Sequence, residues 1–140
     1  PDEATERRIL IETTTTHDAQ AHPVLSASDL IAAQNLVRRL PIGDSVVDAI
    51  LTLTRAARPK DGYTEIAHHL AWGAGPRAGQ ALMLAVRARA LIQGRFAPSI
   101  DDVAALAAPV LKHRLSLNFK ARAEGITIDD VIARLTATLL

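Results

Sequence analysis

The chain has 140 residues, of which 49% are hydrophobic but only 3% aromatic, and its 16 basic and 15 acidic residues nearly cancel. It contains no cysteine, no apolar run approaching the roughly 18 residues of a membrane span, and no signal-peptide pattern at its start. These features exclude a disulfide framework, thiolate metal sites and a transmembrane helix, and they predict a soluble, cytoplasmic protein whose core is built from Ala, Leu, Ile and Val.

The first segment of the chain is charged and permits a helix. Glu3 and Glu6 lie near its start, where the positive end of the helix dipole favours acids, so a short helix is predicted. Residues 13–23 then lack apolar periodicity, which is typical of a connector. We therefore divide the chain into residues 1–25, a segment with its connector, and residues 26–140, a helical domain.

Five further segments carry apolar residues at helical spacing, which predicts an all-α or nearly all-α fold of the small-bundle type. Each of three helix starts has a cap pair, namely Ser26 with Asp29, Ser99 with Asp102, and Thr127 with Asp130. The predicted stripes are Leu30, Ala33, Val37 and Leu40; Val47, Ile50, Leu51 and Thr54; Ala81, Leu84, Ala88 and Leu91; Ile100, Val103, Ala104, Ala107 and Leu111; and Ile128, Val131, Ile132, Leu135 and Leu139.

Three places interrupt this helical pattern. Pro109 lacks the amide that would bond to the carbonyl of Ala105, so it should kink or split its helix. Residues 63–72 predict a turn or a short extended approach, because two histidines break the periodicity there. Residues 115–121 alternate between apolar and polar side chains, which favours a short strand or an extended arm.

Arg77 is the most informative single position. It follows Pro76 at the start of the longest helical segment and heads the stripe that begins with Ala81. A helix N-terminus offers free amides and a positive dipole end, so the arginine and the backbone together suit a phosphate or a carboxylate. Gly73 and Gly75 would permit a close backbone approach. Alternatively, Arg77 only lies beyond the end of the apolar stripe, and its side chain contacts water or a neighbouring acid.

Several ordered motifs in this region resemble the lid domain of MoxR AAA+ ATPases. The resemblance runs from about Ser26 to the C-terminus, and residues 1–10 resemble the segment that leaves the ATPase core. The family motif has Ser where this chain has Gly75, and the arginine itself is kept. The matching residues are Gly73-Ala74-Gly75-Pro76-Arg77-Ala78, Gly94-Arg95, Asp101-Asp102-Val103, Val110-Leu111-Lys112-His113-Arg114-Leu115 and Ala123-Glu124-Gly125.

The resemblance implies a second-sensor arginine at Arg77, with Gly75 and Pro76 beside it, that reaches the terminal phosphate of ATP bound with Mg²⁺ on a core domain. It further implies a hexameric, chaperone-like ATPase that assists the remodelling or maturation of client complexes, with the N-terminal core, neighbouring subunits and a von Willebrand factor A-domain protein as partners. Arg95, His113 and Arg114 match recurrent family positions. Their residue types suggest helix-end or interhelical contacts, or contacts at a subunit boundary.

The chain itself lacks the motifs of a nucleotide hydrolase. A phosphate-binding loop needs a Gly-Lys-Ser or Gly-Lys-Thr ending, and none of Lys60, Lys112 and Lys120 follows a glycine or precedes Ser or Thr. We therefore expect no catalytic residue and no bound cofactor in this chain, and a core domain that precedes Pro1 in a longer parent. His68, His69 and His113 do not predict a metal site, since no acid stands at ligand spacing from them.

A helical DNA-binding module is the rival interpretation. It draws on the 13 arginines and the short helices separated by turns. A recognition helix needs a dense basic face, however, and Arg87 and Arg89 lie on different sides of a largely apolar helix. Nucleic acid is therefore the less favoured partner.

Overall fold

The computed structural model describes residues 1–16, 21–59 and 65–139, so parts of the predicted connector and of the 63–72 segment lie outside the described residues. Within these ranges the chain is 67% helical, which confirms the nearly all-α prediction. None of the described helices has the length and apolar character needed to cross a membrane. The elements are α1 (Glu3–Thr13), α2 (Ala27–Arg39), α3 (Asp44–Ala56), a 3-10 helix (Glu65–His69), β1 (Leu70–Trp72), α4 (Pro76–Ile92), α5 (Ile100–Leu111), β2 (Ser116–Leu117), α6 (Phe119–Ala123) and α7 (Ile128–Leu139).

Residues 1–31 and 32–140 form two compact units. In the first unit, Asp2 caps α1 by accepting a hydrogen bond from the Thr5 amide at 2.8 Å. Ser26 and Asp29 form the predicted cap of α2, in which each side chain accepts a hydrogen bond from the other residue's amide. Every described residue of this unit is exposed. The predicted boundary after residue 25 stays a prediction.

In the second unit, α3, α4, α5 and α7 pack around one core, with α4 against α5 and α3, and α7 against α5 and α3. The core contains no described aromatic residue, which agrees with the predicted palette of small aliphatic side chains; Trp72, Phe96 and Phe119 are all exposed. The largest fully buried apolar side chains are Leu53, Leu82, Val86, Val103, Leu111, Val131 and Leu135.

The predicted buried stripe of α4 is wrong. The side chains that enter the core are Ala78, Leu82, Val86 and Ala90, whereas Leu84 is 38% exposed. The helix is apolar on nearly every side, so spacing alone could not identify the face that packs between α3 and α5. Arg77 therefore does not head a buried seam, and its side chain is exposed.

The predicted stripes of α7 and α3 match the observed buried residues to different extents. In α7 the predicted Val131, Ile132 and Leu135 are buried, while the side chain of Leu139 lies outside the described residues. In α3 the predicted Ile50 and Thr54 are buried, but Val46 and Leu53 also enter the core and the predicted Leu51 is exposed. The helix contains two adjacent apolar pairs, Val46–Val47 and Ile50–Leu51, so the sequence offered two alternative faces.

The alternating segment 115–121 was predicted as one extended element, but only part of it is extended in the structure. Ser116–Leu117 forms β2, which pairs antiparallel with β1 through Leu70 opposite Leu117 and Trp72 opposite Ser116. Asn118 then ends the strand, because its side chain accepts a hydrogen bond from the Ala121 amide at 2.9 Å and caps α6.

Pro109 does not split α5, which continues to Leu111. The position lies in the last turn of the helix, and both Ala105 and Pro109 are exposed. Water can therefore bond to the carbonyl that the proline leaves without an amide partner.

Candidate functional site

A groove of about 860 Å³ opens at the start of α4. It brings together Gly75, Pro76 and Arg77 from one part of the sequence and His113 and Arg114 from another. The sequence had suggested separate roles for these two groups. The described residues that line it are Trp72, Gly73, Gly75, Pro76, Arg77, Ala78, Gln80, His113, Arg114, Leu115 and Ser116.

The loop that precedes α4 is fixed to the end of α3. The Ala74 amide donates to the carbonyl of Ala57 at 3.1 Å, and Arg58 Nε donates to the carbonyl of Ala74 at 2.9 Å. A Cβ atom at Gly73 would lie 2.2 Å from the same Ala57 oxygen. The close approach that Gly73 permits is thus to the chain's own backbone, and it sets where α4 begins.

Helix α4 begins without a side-chain cap. Gly75 is the N-cap residue, with extended backbone angles and open space where a Cβ would stand, and Pro76 occupies the first helical turn. No acidic residue lies in that turn. Among the described residues, none forms a hydrogen bond or an ion pair with the exposed guanidinium of Arg77. A cation and the positive end of a helix dipole thus face the groove together, an arrangement that favours an anion.

The opposite wall of the groove comes from the end of α5 and from β2. Arg114 is half-buried, and its Nη1 donates to the carbonyl of Val110 at 2.6 Å and contacts the imidazole of His113. The pairing of β1 with β2 places Trp72, 73% exposed, beside Ser116. None of the described residues that line the groove is Asp or Glu.

Arg95 does not line this groove. Its Nη2 and Nη1 donate to Asp102 Oδ1 and Oδ2 at 2.6 and 2.8 Å, and Arg89 Nε donates to Oδ1 at 3.0 Å. The hydrogen bonds from Arg95 and from Ser99 outweigh burial and lower the pKa of Asp102 to about 2. The sequence identified Asp102 as a helix cap, which it is, but gave no signal that this carboxylate is buried between two arginines.

The histidines lie apart from any cluster of metal ligands within the described ranges, where no group of three or more His, Cys, Asp or Glu side chains could hold a metal ion. Adjacent to β1, the carbonyls of His68 and His69 accept hydrogen bonds from the side chain and the amide of Asn118. The backbone of these residues therefore supports the turn into α6.

The fold and this groove define the class of protein. The sequence matches the AAA lid domain family over residues 63–135, and the chain belongs to that family. The lid is of the MoxR-like type, as the motifs around Arg77 predicted. Chaperone MoxR1 of Mycobacterium tuberculosis is 32% identical over 122 residues, which are 86% of this chain and 32% of that protein.

Two further proteins are similar to this chain. The uncharacterized protein YeaC of Bacillus subtilis is 28% identical over 117 residues, 84% of this chain and 34% of that protein. The crystal structure of a candidate ATPase from Cytophaga hutchinsonii superposes with a TM-score of 0.84 at 25% identity, over 99% of this chain and 43% of that one. The chain thus spans about a third of the length of the curated relatives it matches.

Proposed function

We propose that this lid closes over ATP and Mg²⁺ held by an AAA+ core domain, and that Arg77 reaches the terminal phosphate of that ATP. The observation that carries the proposal is the guanidinium of Arg77 at the N-terminus of α4, which has no ion-pair partner among the described residues and faces a groove whose described lining contains no carboxylate. A cation at the position where phosphate charge develops is a known means of assisting phosphoryl transfer.

The tethered loop before α4 supports a coupling role for this arginine. Gly73 and Ala74 are fixed against the end of α3. A ligand that displaces Arg77 should therefore also displace the helices that form the hydrophobic core of the lid. We infer that lid closure transmits the nucleotide state of the core domain to neighbouring subunits of a hexamer. Such a machine would act in the cytoplasm on client complexes in a chaperone-like way, as the name of MoxR1 suggests, with a von Willebrand factor A-domain protein as a further partner.

No feature of the described residues favours the DNA-binding alternative. Arg87 Nε donates to the carbonyl of Leu40 at 2.9 Å, and Arg89 donates to Asp102. Both arginines of the middle of α4 are therefore engaged within the fold. A recognition helix would instead present such side chains to the groove of the nucleic acid.

The test is made on the full-length ATPase that contains this lid. Arg77→Ala should reduce ATP turnover or nucleotide affinity roughly 10- to 150-fold, the equivalent of one charge-assisted contact of about 1.5–3 kcal/mol. Arg77→Lys should recover only part of the loss, since an ammonium lacks the planar fork of a guanidinium. The melting temperature should stay nearly constant because the side chain is exposed. Unchanged turnover and affinity in Arg77→Ala would remove the sensor role and leave only the family assignment.

A further inference from the structure

The groove at α4 carries positive charge that its lining does not neutralise. Arg77 and Arg114 both line it, and no carboxylate of the described residues forms an ion pair with either. Arg89 and Arg95, by contrast, share the carboxylate of Asp102. Two guanidinium groups that face one concave site without an acid are suited to an anionic ligand.

Arg114 is held in place before any ligand arrives. Its Nη1 is tethered to the carbonyl of Val110, while Nε and Nη2 have no hydrogen-bond partner among the described residues. The side chain of Arg114 is half-buried, whereas that of Arg77 is exposed and has no hydrogen-bond partner among the described residues. A guanidinium that is already oriented loses less conformational freedom when its remaining donors bind.

We propose that Arg114 is a second phosphate-binding residue, which grips the polyphosphate of the same nucleoside triphosphate that Arg77 senses. This inference rests on the proposed function, because both residues line one groove. A triphosphate has enough oxygen atoms to engage two guanidinium groups and the first amides of α4 at once. A carboxylate can bridge two guanidinium groups, as Asp102 does between Arg89 and Arg95, but its two oxygens accept fewer hydrogen bonds than the oxygens of a triphosphate.

The decisive experiment compares three variants of the full-length ATPase. Arg114→Gln keeps a donor for the Val110 carbonyl but removes the charge, and it should lower kcat/KM for ATP about 10-fold or more. Arg114→Lys should restore part of that loss. Arg122→Gln is the matched control, because Arg122 is exposed, bonds to Ser116 Oγ at 3.4 Å and does not line the groove. Its kcat/KM should stay within about twofold of the wild type.

A second measurement uses the 140-residue chain and inorganic tripolyphosphate as the probe. The side-chain Nε–Hε resonances of Arg77 and Arg114 should shift together with one apparent affinity, in the millimolar range, and the resonance of Arg122 should not follow them. Joint movement is expected only if one anion contacts both arginines. A shift confined to Arg77 would overturn the proposal.

The outcomes separate this inference from the proposed function. If Arg77→Ala lowers turnover and Arg114→Gln does not, Arg114 is not a phosphate ligand and the sensor role of Arg77 stands. If Arg114→Gln weakens subunit assembly while leaving nucleotide affinity unchanged, the residue contacts a protein carboxylate instead, which also overturns the proposal. If neither variant changes turnover or affinity, both ideas fail.

Discussion

Arg95 and Asp102 form a two-point ion pair that joins the turn after α4 to the first turn of α5, with N–O distances of 2.6 and 2.8 Å. Asp102 is 2% exposed and also accepts the Ser99 amide at 2.8 Å, so one carboxylate serves as helix cap and as partner of the arginine. Its charge is thereby balanced inside the fold. This pair links the turn after α4 to the start of α5 through one ionised carboxylate.

The stability of the chain should therefore fall at acidic pH. The pKa of Asp102 is lowered from 3.8 to about 2, mainly by the hydrogen bonds from Arg95. A carboxyl whose folded pKa is depressed contributes stability above its unfolded pKa, and this contribution is lost as the pH falls from about 4 to about 2. The shift corresponds to roughly 2 kcal/mol. Urea unfolding at a series of pH values between 6 and 2 measures it.

Asp102→Asn isolates this contribution from those of other carboxyls. At pH 6 it should lower the free energy of unfolding by about 2 kcal/mol or more, because the arginines lose their ionised partner. Below pH 2 the difference from the wild type should shrink. The control is Asp101→Asn, whose exposed side chain should matter by less than about 0.5 kcal/mol. Equal effects of Asp102→Asn and Asp101→Asn on the free energy of unfolding would show that this stability does not come from Asp102.

Side chains added at the two glycines of the loop before α4 should have opposite effects on the stability of the fold. Gly73→Ala places a Cβ 2.2 Å from the Ala57 carbonyl oxygen, so the backbone must shift, at a cost of about 2 kcal/mol or more. Gly75→Ser meets no atom within 4 Å and supplies a capping hydroxyl for α4, which should stabilise the fold by a few tenths of a kcal/mol. Thermal melts of both variants provide the comparison, and tolerance of Gly73→Ala would refute the tight approach.

The face of α4 that packs into the core can be checked with two leucines. Leu82 is 0% exposed and Leu84 is 38% exposed. Leu82→Ala should lower the free energy of unfolding by about 2–5 kcal/mol through lost contacts and a cavity, and Leu84→Ala by less than about 1 kcal/mol. Chemical denaturation of the two variants gives both values. A larger loss of stability for Leu84→Ala than for Leu82→Ala would support the buried stripe predicted from the sequence.

The chain by itself should bind ATP negligibly and hydrolyse none. Two arginines and a helix N-terminus lack the phosphate-binding loop and the magnesium ligands that give nucleotide sites their affinity. Calorimetric titration with ATP and Mg²⁺ should show no saturable heat at micromolar concentrations. A micromolar dissociation constant would place the nucleotide site within this chain and contradict the proposed dependence on a core domain.

The sequence by itself determined the features that depend on neighbouring residues along the chain. The helix starts at Ser26, Ser99 and Thr127 follow from hydrogen bonds between a residue and its neighbours three positions away. The missing phosphate-binding loop could likewise be read directly, because such a loop is a continuous motif. The motif around Arg77 identified the family, and Arg77 is one of the residues that line the groove.

Tertiary structure decided which helix faces meet. Leu82 rather than Leu84 enters the core because α4 is apolar on most of its surface, and only the positions of α3 and α5 select one side. The same packing places Arg114 and Arg77 in one groove and buries Asp102 between two arginines, arrangements that no local pattern encodes. Such arrangements depend on the summed burial of many small aliphatic side chains, each too weak in its own segment to specify a partner.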